Sequence, residues 1–265
     1  MDWNYDCAAV IPCFNEAGRL RGLVAEVKAH VGCVIVVDDG SRDATAGEAR
    51  AAGAEVVGLE KNSGKGTALR SGWRRAHELG VQWVLMLDGD GQHAPDDIPK
   101  FFARAEASGA SLIVGNRMND LRRMPPVRRW ANRWMSRRIS QMAGVELPDS
   151  QCGFRLAHLE TLSKLKIRTN RFEVESAMLI AFLAAGLQVE FVLVQTIYRS
   201  QPSRINPLTD SWRWLRWRHA ERTPRRALAR LQYDPRAIIP PDPAVRNSRA
   251  VGQLPPLAPA KPALH

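Results

Sequence analysis

The chain has 265 residues, of which 45% are hydrophobic and 25% charged, so it can form one globular domain of about 200 residues with a tail. This length excludes a small disulfide-stapled scaffold. The formal net charge of +11 predicts an anionic partner such as a nucleotide, a nucleic acid or a lipid headgroup.

The predicted elements alternate along the chain between apolar runs of strand length and longer helical patterns. The predicted strands are residues 7–12, 33–37, 55–59, 83–87, 111–114 and 189–198. The predicted helices are residues 16–30, 43–52, 65–79 and 173–185. This alternation is typical of βα units around a mainly parallel sheet, so we expect an α/β fold.

The chain divides into three predicted regions. Residues 1–206 form the α/β domain, residues 207–234 form a basic helical extension rich in Trp and Arg, and residues 235–265 are rich in Pro and Ala and are expected to be disordered. Within the domain, arginines and tryptophans recur at helical spacing between residues 128 and 138, after a Pro-Pro pair. This spacing predicts a further helix with an Arg/Trp surface.

The positive charge is concentrated in two segments. Residues 117–138 and 204–230 hold eight arginines each, and five of the eight tryptophans lie in the same two segments. Indole rings favour the headgroup level of a bilayer and guanidinium groups bind lipid phosphate, so we expect a membrane surface as a partner. Two alternatives stay open at this point: nucleic acid binds the segments, or the tryptophans pack onto the domain and the arginines are solvated.

Cellular location is indicated by three negative features of the sequence. The four cysteines form no CxxC pair, which favours free thiols in a reducing compartment. Asp2 and Asp6 fall where a signal peptide would have a basic segment and an apolar core. The longest apolar stretch, residues 177–187, is shorter than the ~20 residues that cross a bilayer. We therefore expect a cytoplasmic protein, peripheral on the cytoplasmic face of the membrane.

Acidic side chains follow three of the predicted strands. Glu16 comes shortly after the first strand, Asp38 and Asp39 follow the second, and Asp88 and Asp90 follow the fourth. Ligands of open α/β sheets bind beyond the carboxyl ends of the strands, so these acids predict a shared site. Their mutual repulsion requires a cation or hydrogen-bond donors between them.

The loop after the fourth strand has the composition of a cation site. Asp88 and Asp90 flank Gly89, and Gln92 adds a neutral oxygen. Hard oxygen ligands suit Mg²⁺ or Mn²⁺, which bridge to substrate phosphates. The alternative is a solvated turn, since Asp and Gly are common turn residues.

Two other sites have a ligand-binding and a plain structural interpretation. Asp39 could accept hydrogen bonds from a base or a ribose, whereas Asp38 or Ser41 could cap the next helix. Glu16 could be a helix first-turn acid. Lys65 lies between two glycines at a predicted helix start, which suits an anionic ligand but equally an exposed loop.

Short motifs occur in a fixed order along the chain. They are Pro12-x-x-Asn15-Glu16, Asp38-Asp39-Gly40-Ser41-x-Asp43, Gly64-Lys65-Gly66, Asp88-x-Asp90-Gly91-Gln92-His93, Gly115-x-Arg117 and Asp149-Ser150-Gln151-Cys152-Gly153-Phe154-Arg155. In this order and spacing they resemble the family 2 glycosyltransferases, and within them the branch of dolichyl-phosphate mannose synthase and bacterial polyprenyl-phosphate glycosyltransferases. The resemblance covers residues 7–205.

The resemblance implies a GT-A fold and an inverting transfer of a sugar from a nucleotide-sugar donor. It implies that Asp88, Asp90 and Gln92 hold Mg²⁺ or Mn²⁺ on the donor diphosphate, and that Asp90, Arg117 and Asp88 carry the catalysis. The residues that it implies in donor binding are Pro12, Phe14, Glu16, Val37, Asp39, Lys65, Asp88, Gly89, Arg117, Arg199 and Arg204.

The acceptor that the resemblance and the Arg/Trp segments favour is a membrane-associated polyprenyl phosphate. A phosphate acceptor is already ionised near neutral pH and needs only positioning, whereas a hydroxyl acceptor needs a base. The alternatives are a hydroxyl of a lipid or a soluble glycan, for which Asp149 is the candidate base, and nucleic-acid binding by the basic helices. For Asp149 itself we expect a structural hydrogen-bonding role.

Overall fold

A seven-stranded sheet is the centre of the fold in the computed structural model, which describes residues 1–118, 126–165, 167, 169 and 173–197. The strands are β1 (Cys7–Cys13), β2 (Cys33–Asp38), β3 (Glu55–Gly58), β4 (Trp83–Met86), β5 (Leu112–Asn116), β6 (Arg155–His158) and β7 (Val189–Leu193). Their order across the sheet is β3-β2-β1-β4-β6-β5-β7, and only β6 pairs antiparallel with its neighbours. The predicted α/β class with a mainly parallel sheet is confirmed.

Helices connect the strands and cover the sheet. Those in the described residues are α1 (Trp3–Asp6), α2 (Leu20–Lys28), α3 (Thr45–Ala51), α4 (Lys65–Glu78), α5 (Ile98–Ser108), α6 (Pro126–Ala143), α7 (Leu159–Lys164) and α8 (Val174–Ala184), with one 3₁₀ turn at Pro95–Asp97. Helix α6 confirms the helix predicted from the Arg/Trp spacing. It begins at Pro126, the second residue of the Pro-Pro pair, because the missing N–H of a proline costs nothing in a first turn.

The central strands are buried on both faces. Consecutive side chains of a strand point to opposite faces, yet Ala8, Ala9, Val10 and Ile11 of β1 are all fully buried. Helix α4 lies close to this strand because Gly72 has no side chain; a Cβ there would clash with Val10. This close packing brings the first residues of α4 to the carboxyl edge of the sheet.

The predicted strands up to β5 begin and end within two residues of the observed ones. Helix α2, however, begins at Leu20 and not at residue 16. Asn15 has a left-handed backbone with φ of 54°, and the N–H of Gly18 donates to the Glu48 carboxylate at 2.7 Å. The left-handed backbone of Asn15 and this long-range hydrogen bond to α3 hold residues 15–18 as a loop. Strand β6 and helices α1, α5 and α7 were not among the predicted elements.

Strand β7 ends at Leu193, earlier than predicted, since the N–H of Gln195 leaves the ladder and donates to the buried Asp97 carboxylate at 2.6 Å. Arg199, Arg204, the extension 207–234 and the tail 235–265 lie outside the described residues. No helix in the described part of the chain combines the length and the apolar character needed to cross a membrane.

Candidate active site

The loops after β1, β2 and β4 lie side by side at the carboxyl edge of the sheet. The N–H of Asp39, just past β2, donates to the carbonyl of Cys13 at the end of β1 at 2.8 Å. Gly89, just past β4, approaches the same cysteine so closely that a Cβ would lie 2.6 Å from its Sγ. A residue with a side chain cannot take this place, so Gly89 fixes where the two flanking aspartates lie.

Asp39 joins this edge to the start of α4. Its two carboxylate oxygens accept hydrogen bonds from the N–H groups of Ser63 at 2.7 Å and Gly64 at 2.9 Å. Burial raises the pKa of Asp39, and these two backbone donors offset part of that effect. Because Gly64 immediately precedes α4, the carboxylate positions Lys65. Each oxygen keeps one lone pair that a base or a ribose could use.

The loop after β1 is bound to the loop after β2. The N–H of Asn15 donates to Ser41 Oγ at 2.9 Å, and the N–H of Glu16 donates to Thr45 Oγ1 at 2.9 Å. Glu16 is buried and pairs with Arg19 at 3.4 Å. The two loops therefore form one hydrogen-bonded wall.

The residues predicted to hold the nucleoside differ in accessibility along this wall. Pro12 and Phe14 are half-buried, while Glu16 and Asp39 are nearly covered. Val37 is fully buried, and its Cγ2 lies 3.1 Å from the Cβ position of Gly72 in α4. The side chain of Val37 thus faces the helix and not the edge of the sheet.

Three charged side chains, Lys65, Asp88 and Glu175, form what we term the Lys65 cluster. The Lys65 ammonium contacts Asp88 Oδ1 and lies 2.5 Å from Glu175 Oε1. Burial alone would lower the pKa of Lys65, but the two carboxylates outweigh it and raise that pKa. Burial likewise opposes ionisation of Asp88, yet Lys65 and a hydrogen bond from His93 lower its pKa. Lys65 and Asp88 are therefore both charged in this arrangement.

Gly153 leaves the space that the Lys65 cluster occupies. A Cβ at this position would lie 2.8 Å from Asp88 Oδ2 and 3.0 Å from Lys65 Nζ. Gly153, in the segment from Asp149 to Arg155, thus contributes to the site because it has no side chain.

Replacing Gly153 with alanine is expected to lower the rate of the reaction by about a hundredfold, because displacing catalytic groups by an ångström costs this much. The free energy of unfolding should change little, since the displaced atoms are ends of flexible side chains. Steady-state kinetics and urea unfolding check both parts. Gly47→Ala is the matched control, because a Cβ there meets nothing within 4 Å; equal activity of the two variants would contradict the prediction.

Asp90 lies in the same loop and is half-buried. Its Oδ1 accepts a hydrogen bond from the Gln92 N–H at 3.0 Å. Burial and then the charge of Asp88 raise the pKa of Asp90, so its anionic form lacks a sufficient counter-charge. Gln92 also accepts, through its backbone carbonyl, the N–H of Ile197 at 2.9 Å, which brings the chain after β7 to this loop.

Arg117, which follows β5, pairs with the fully buried Asp149. Its Nε lies 2.8 Å from Oδ2 and its second guanidinium nitrogen 3.0 Å from Oδ1. Asn132 of α6 and the N–H of Gln151 donate to the same Oδ1, both at 3.1 Å. Burial would raise the pKa of Asp149, but Arg117 and Asn132 lower it. Both oxygens are engaged, in agreement with the expected structural role.

Arg117 also lies within electrostatic range of Asp88. Burial would lower its pKa, while Asp149 and, more weakly, Asp88 raise it. The guanidinium side chain is 21% exposed, and its fork has five N–H donors, of which Asp149 takes two. The arrangement can therefore neutralise an anionic ligand next to Asp88.

Glu175 and Asn132 were missed as site residues. Glu175 is an acid in the first turn of an otherwise apolar buried helix, and such an isolated buried charge is itself a signal of a partner. Asn132 gave no signal, since its neighbours are arginines and tryptophans. In the described residues, no set of three or more His, Cys, Asp and Glu side chains is arranged to hold a metal.

Comparison with known proteins finds a matching family and similar proteins. Residues 8–165 match the model of the family described as glycosyl transferase family 2. The UDP-N-acetylglucosamine–dolichyl-phosphate N-acetylglucosaminyltransferase of Methanococcus voltae is 30% identical over 212 residues, which cover 71% of this chain and 84% of that protein. The dodecaprenyl-phosphate galacturonate synthase of Rhizobium johnstonii is 31% identical over 179 residues, 61% of this chain and 50% of that protein.

A solved structure shares the fold. Glucosyl-3-phosphoglycerate synthase from Mycobacterium tuberculosis, in complex with Mn²⁺ and UDP-glucose, superposes with a TM-score of 0.64 at 22% identity, covering 82% of this chain and 78% of that one. Together with the family match over residues 8–165, this places the fold among the GT-A enzymes. The chain therefore belongs to glycosyl transferase family 2 and is a nucleotide-sugar-dependent glycosyltransferase.

Proposed function

We propose that this enzyme transfers one sugar, with inversion, from a nucleotide-sugar to polyprenyl phosphate at the cytoplasmic face of a membrane. The observation that carries the choice of acceptor is the Arg117–Asp149 pair. Asp149, the candidate base, has both oxygens engaged, which favours an acceptor that needs no deprotonation. The names of the relatives from M. voltae and R. johnstonii, which specify dolichyl and dodecaprenyl phosphate, support the same choice.

A divalent cation fits the loop of Asp88 and Asp90. Two carboxylates lie in one loop, and the raised pKa of Asp90, caused by burial and by Asp88, marks a place where a cation would be stabilised. Oxygen ligands of this kind suit Mg²⁺ or Mn²⁺, which use one or two carboxylates and complete their shell with water and substrate phosphates. Asp88, Asp90 and Gln92 would hold the ion. When bound, it would supply positive charge to the leaving diphosphate.

The chain's own residues would position the donor and balance its charge. The wall formed by Pro12, Phe14 and Asp39 would receive the nucleoside, while Lys65 and Arg117 would balance the charge of the diphosphate. Arg199 and Arg204, outside the described residues, are proposed as further phosphate ligands.

The transfer itself is a single displacement. An oxygen of the acceptor phosphate forms a bond to the anomeric carbon, and the bond from that carbon to the donor diphosphate breaks. Negative charge grows on the leaving group, so guanidinium and ammonium groups beside it would stabilise the transition state more than the ground state.

The acceptor is tested with the purified protein and a labelled donor. A panel of UDP- and GDP-sugars in a thermal-shift assay with Mn²⁺ first identifies the donor. Incubation with polyprenyl phosphate or with the matching free alcohol then decides between the acceptors. We expect label only in the lipid phosphate; label only in the alcohol would contradict the proposal.

Helix α6 has one face that packs on the domain and one that is exposed, and the exposed face supports the proposal of a membrane partner. Trp130, which is 68% exposed, lies with Arg133 and Arg137 on the outer face. Trp134 is stacked on Trp130 at a centroid distance of 6.3 Å and packs on the domain next to Ile139. The outer face thus combines an exposed indole with arginines, the composition that binds headgroups of anionic lipids.

Charge reversal on this outer face is expected to weaken membrane association. Each arginine near an anionic surface contributes about 1 kcal/mol, so Arg133→Glu with Arg137→Glu should lower the vesicle-bound fraction severalfold. Sedimentation with vesicles containing phosphatidylserine measures it. Arg21→Glu with Arg50→Glu, on the exposed sides of α2 and α3, is the matched control, since it reverses the same number of charges. Equal sedimentation of the α6 variant and the control would exclude this face as the contact.

A further inference from the structure

The Lys65 cluster places one cation between two unequal carboxylates. The Asp88 side chain is 32% exposed and belongs to the proposed metal loop, whereas the Glu175 side chain is only 7% exposed. Glu175 Oε1 lies 2.5 Å from the ammonium, but its Oε2 is buried and has no hydrogen-bond partner in the described part of the chain. Glu175 Oε2 can therefore accept a further hydrogen bond beside Lys65.

Lys65 and a divalent ion would compete for the same carboxylate. The ammonium contacts Asp88 Oδ1, and a metal held by Asp88 would bring two positive charges together at that group. An ammonium this deeply buried cannot simply turn to water, because an unpaired buried charge is strongly unfavourable. It needs a second anionic partner within reach, and Glu175 is that partner.

Glu175 is held in place by contacts that do not involve Lys65. Its backbone carbonyl accepts a hydrogen bond from the buried Arg155 guanidinium at 2.6 Å. The next residue of α8, Ser176, bonds through Oγ to Gln151 Nε2 at 2.9 Å. The start of α8 is thus tied to the segment that contains Gly153, and the lysine is the adjustable member of the cluster.

We propose that Glu175 is a positioning residue for Lys65. It keeps the Lys65 ammonium beside Asp88, and it holds that ammonium in the site when a divalent ion binds the Asp88 carboxylate. Glu175 then sets the metal affinity of the site through Lys65. This inference rests on the metal role in the proposed function. If Glu175 acted on the metal only through its own charge, its effect would be the same with and without Lys65. We expect instead that the effect of Glu175 on metal affinity depends on the presence of Lys65.

A double-mutant cycle on Mn²⁺ binding tests this dependence. Free Mn²⁺ is measured by electron paramagnetic resonance with the full chain and no donor, for wild type, Lys65→Met, Glu175→Gln and the double variant. We expect Lys65→Met to bind Mn²⁺ more tightly and Glu175→Gln more weakly, each by on the order of tenfold. In the Lys65→Met background, Glu175→Gln should change the affinity less than twofold. Thermal unfolding establishes that each variant is folded, and Glu175→Asp, which keeps the carboxylate, is the second variant if Glu175→Gln does not fold.

The control is Glu173→Gln, which removes the same charge two residues earlier, before α8 begins, and should leave the Mn²⁺ affinity unchanged. Equal weakening by Glu175→Gln with and without Lys65 would overturn the inference, as would a wild-type chain that binds no Mn²⁺. Transfer to the free alcohol alone would refute the proposed acceptor and leave this coupling intact, so the two failures are distinguishable.

Discussion

Replacing Asp90 with alanine is expected to lower kcat/KM by about a thousandfold. The proposed metal would lose a carboxylate ligand, and the leaving diphosphate would then lose positive charge where its negative charge develops. The substitution should not destabilise the fold. Burial and Asp88 raise the pKa of Asp90 above its ordinary value, so its charged form opposes folding at neutral pH. The free energy of unfolding should therefore stay equal or increase. Kinetics with saturating Mn²⁺ and urea unfolding measure the two quantities.

Asp96→Ala is the matched control for this variant. Asp96 is exposed and lies on the 3₁₀ turn before α5, six residues after Asp90. Its removal should leave both activity and stability within experimental scatter. Full activity of Asp90→Ala would remove the metal role of this loop.

Replacing Asp149 with alanine is expected to lower the free energy of unfolding by about 3–5 kcal/mol, since Arg117 would keep a buried charge without its partner. Urea unfolding near pH 7 measures the loss. The double variant Arg117→Met/Asp149→Leu removes both charges and should recover much of the stability. A loss below about 1 kcal/mol in the single variant would show that the pair behaves like an exposed one.

The same pair predicts the acid limb of the stability curve. Although burial acts in the opposite direction, Arg117 lowers the folded-state pKa of Asp149 below its unfolded value. The contribution of the pair is therefore fully present above the unfolded pKa, about 3.9, and is lost as the pH falls through the lower folded-state value. Unfolding of wild type and Asp149→Ala between pH 7 and pH 2 should converge at the acid end.

The parallel half of the sheet could be predicted because its strands carry their own signal. Strand β2, for example, is a continuous apolar and mostly β-branched run that ends at two acids, and burial on both faces requires such a run. Strand β6 gave no such signal. It begins with Arg155, a residue type that is normally solvated. Its burial is acceptable because its guanidinium donates to three backbone carbonyls, two of them close by in the sequence and the third that of the distant Glu175.

The candidate site could be predicted where its residues follow strands, and not where it depends on distant pairing. Asp39, Asp88 and Asp90 follow strand ends, and the rule that strand ends share an edge brings them together. The contact of Lys65 with Glu175 joins residues 110 positions apart, which no local pattern encodes. The orientation of Val37 toward α4 was missed for the same reason, since it depends on the close approach of Gly72.

Helix α6 has a consequence for anyone who wishes to prepare a version of the enzyme that no longer associates with lipid. Its inner face supplies Asn132 to Asp149 and Ser136 to Ser150, while its outer face carries Trp130. Deleting the helix would remove the exposed Trp130, but also the Asn132 hydrogen bond to Asp149, which pairs with Arg117. Solubilising changes should therefore be confined to the outward side chains, and the helix itself should be left whole.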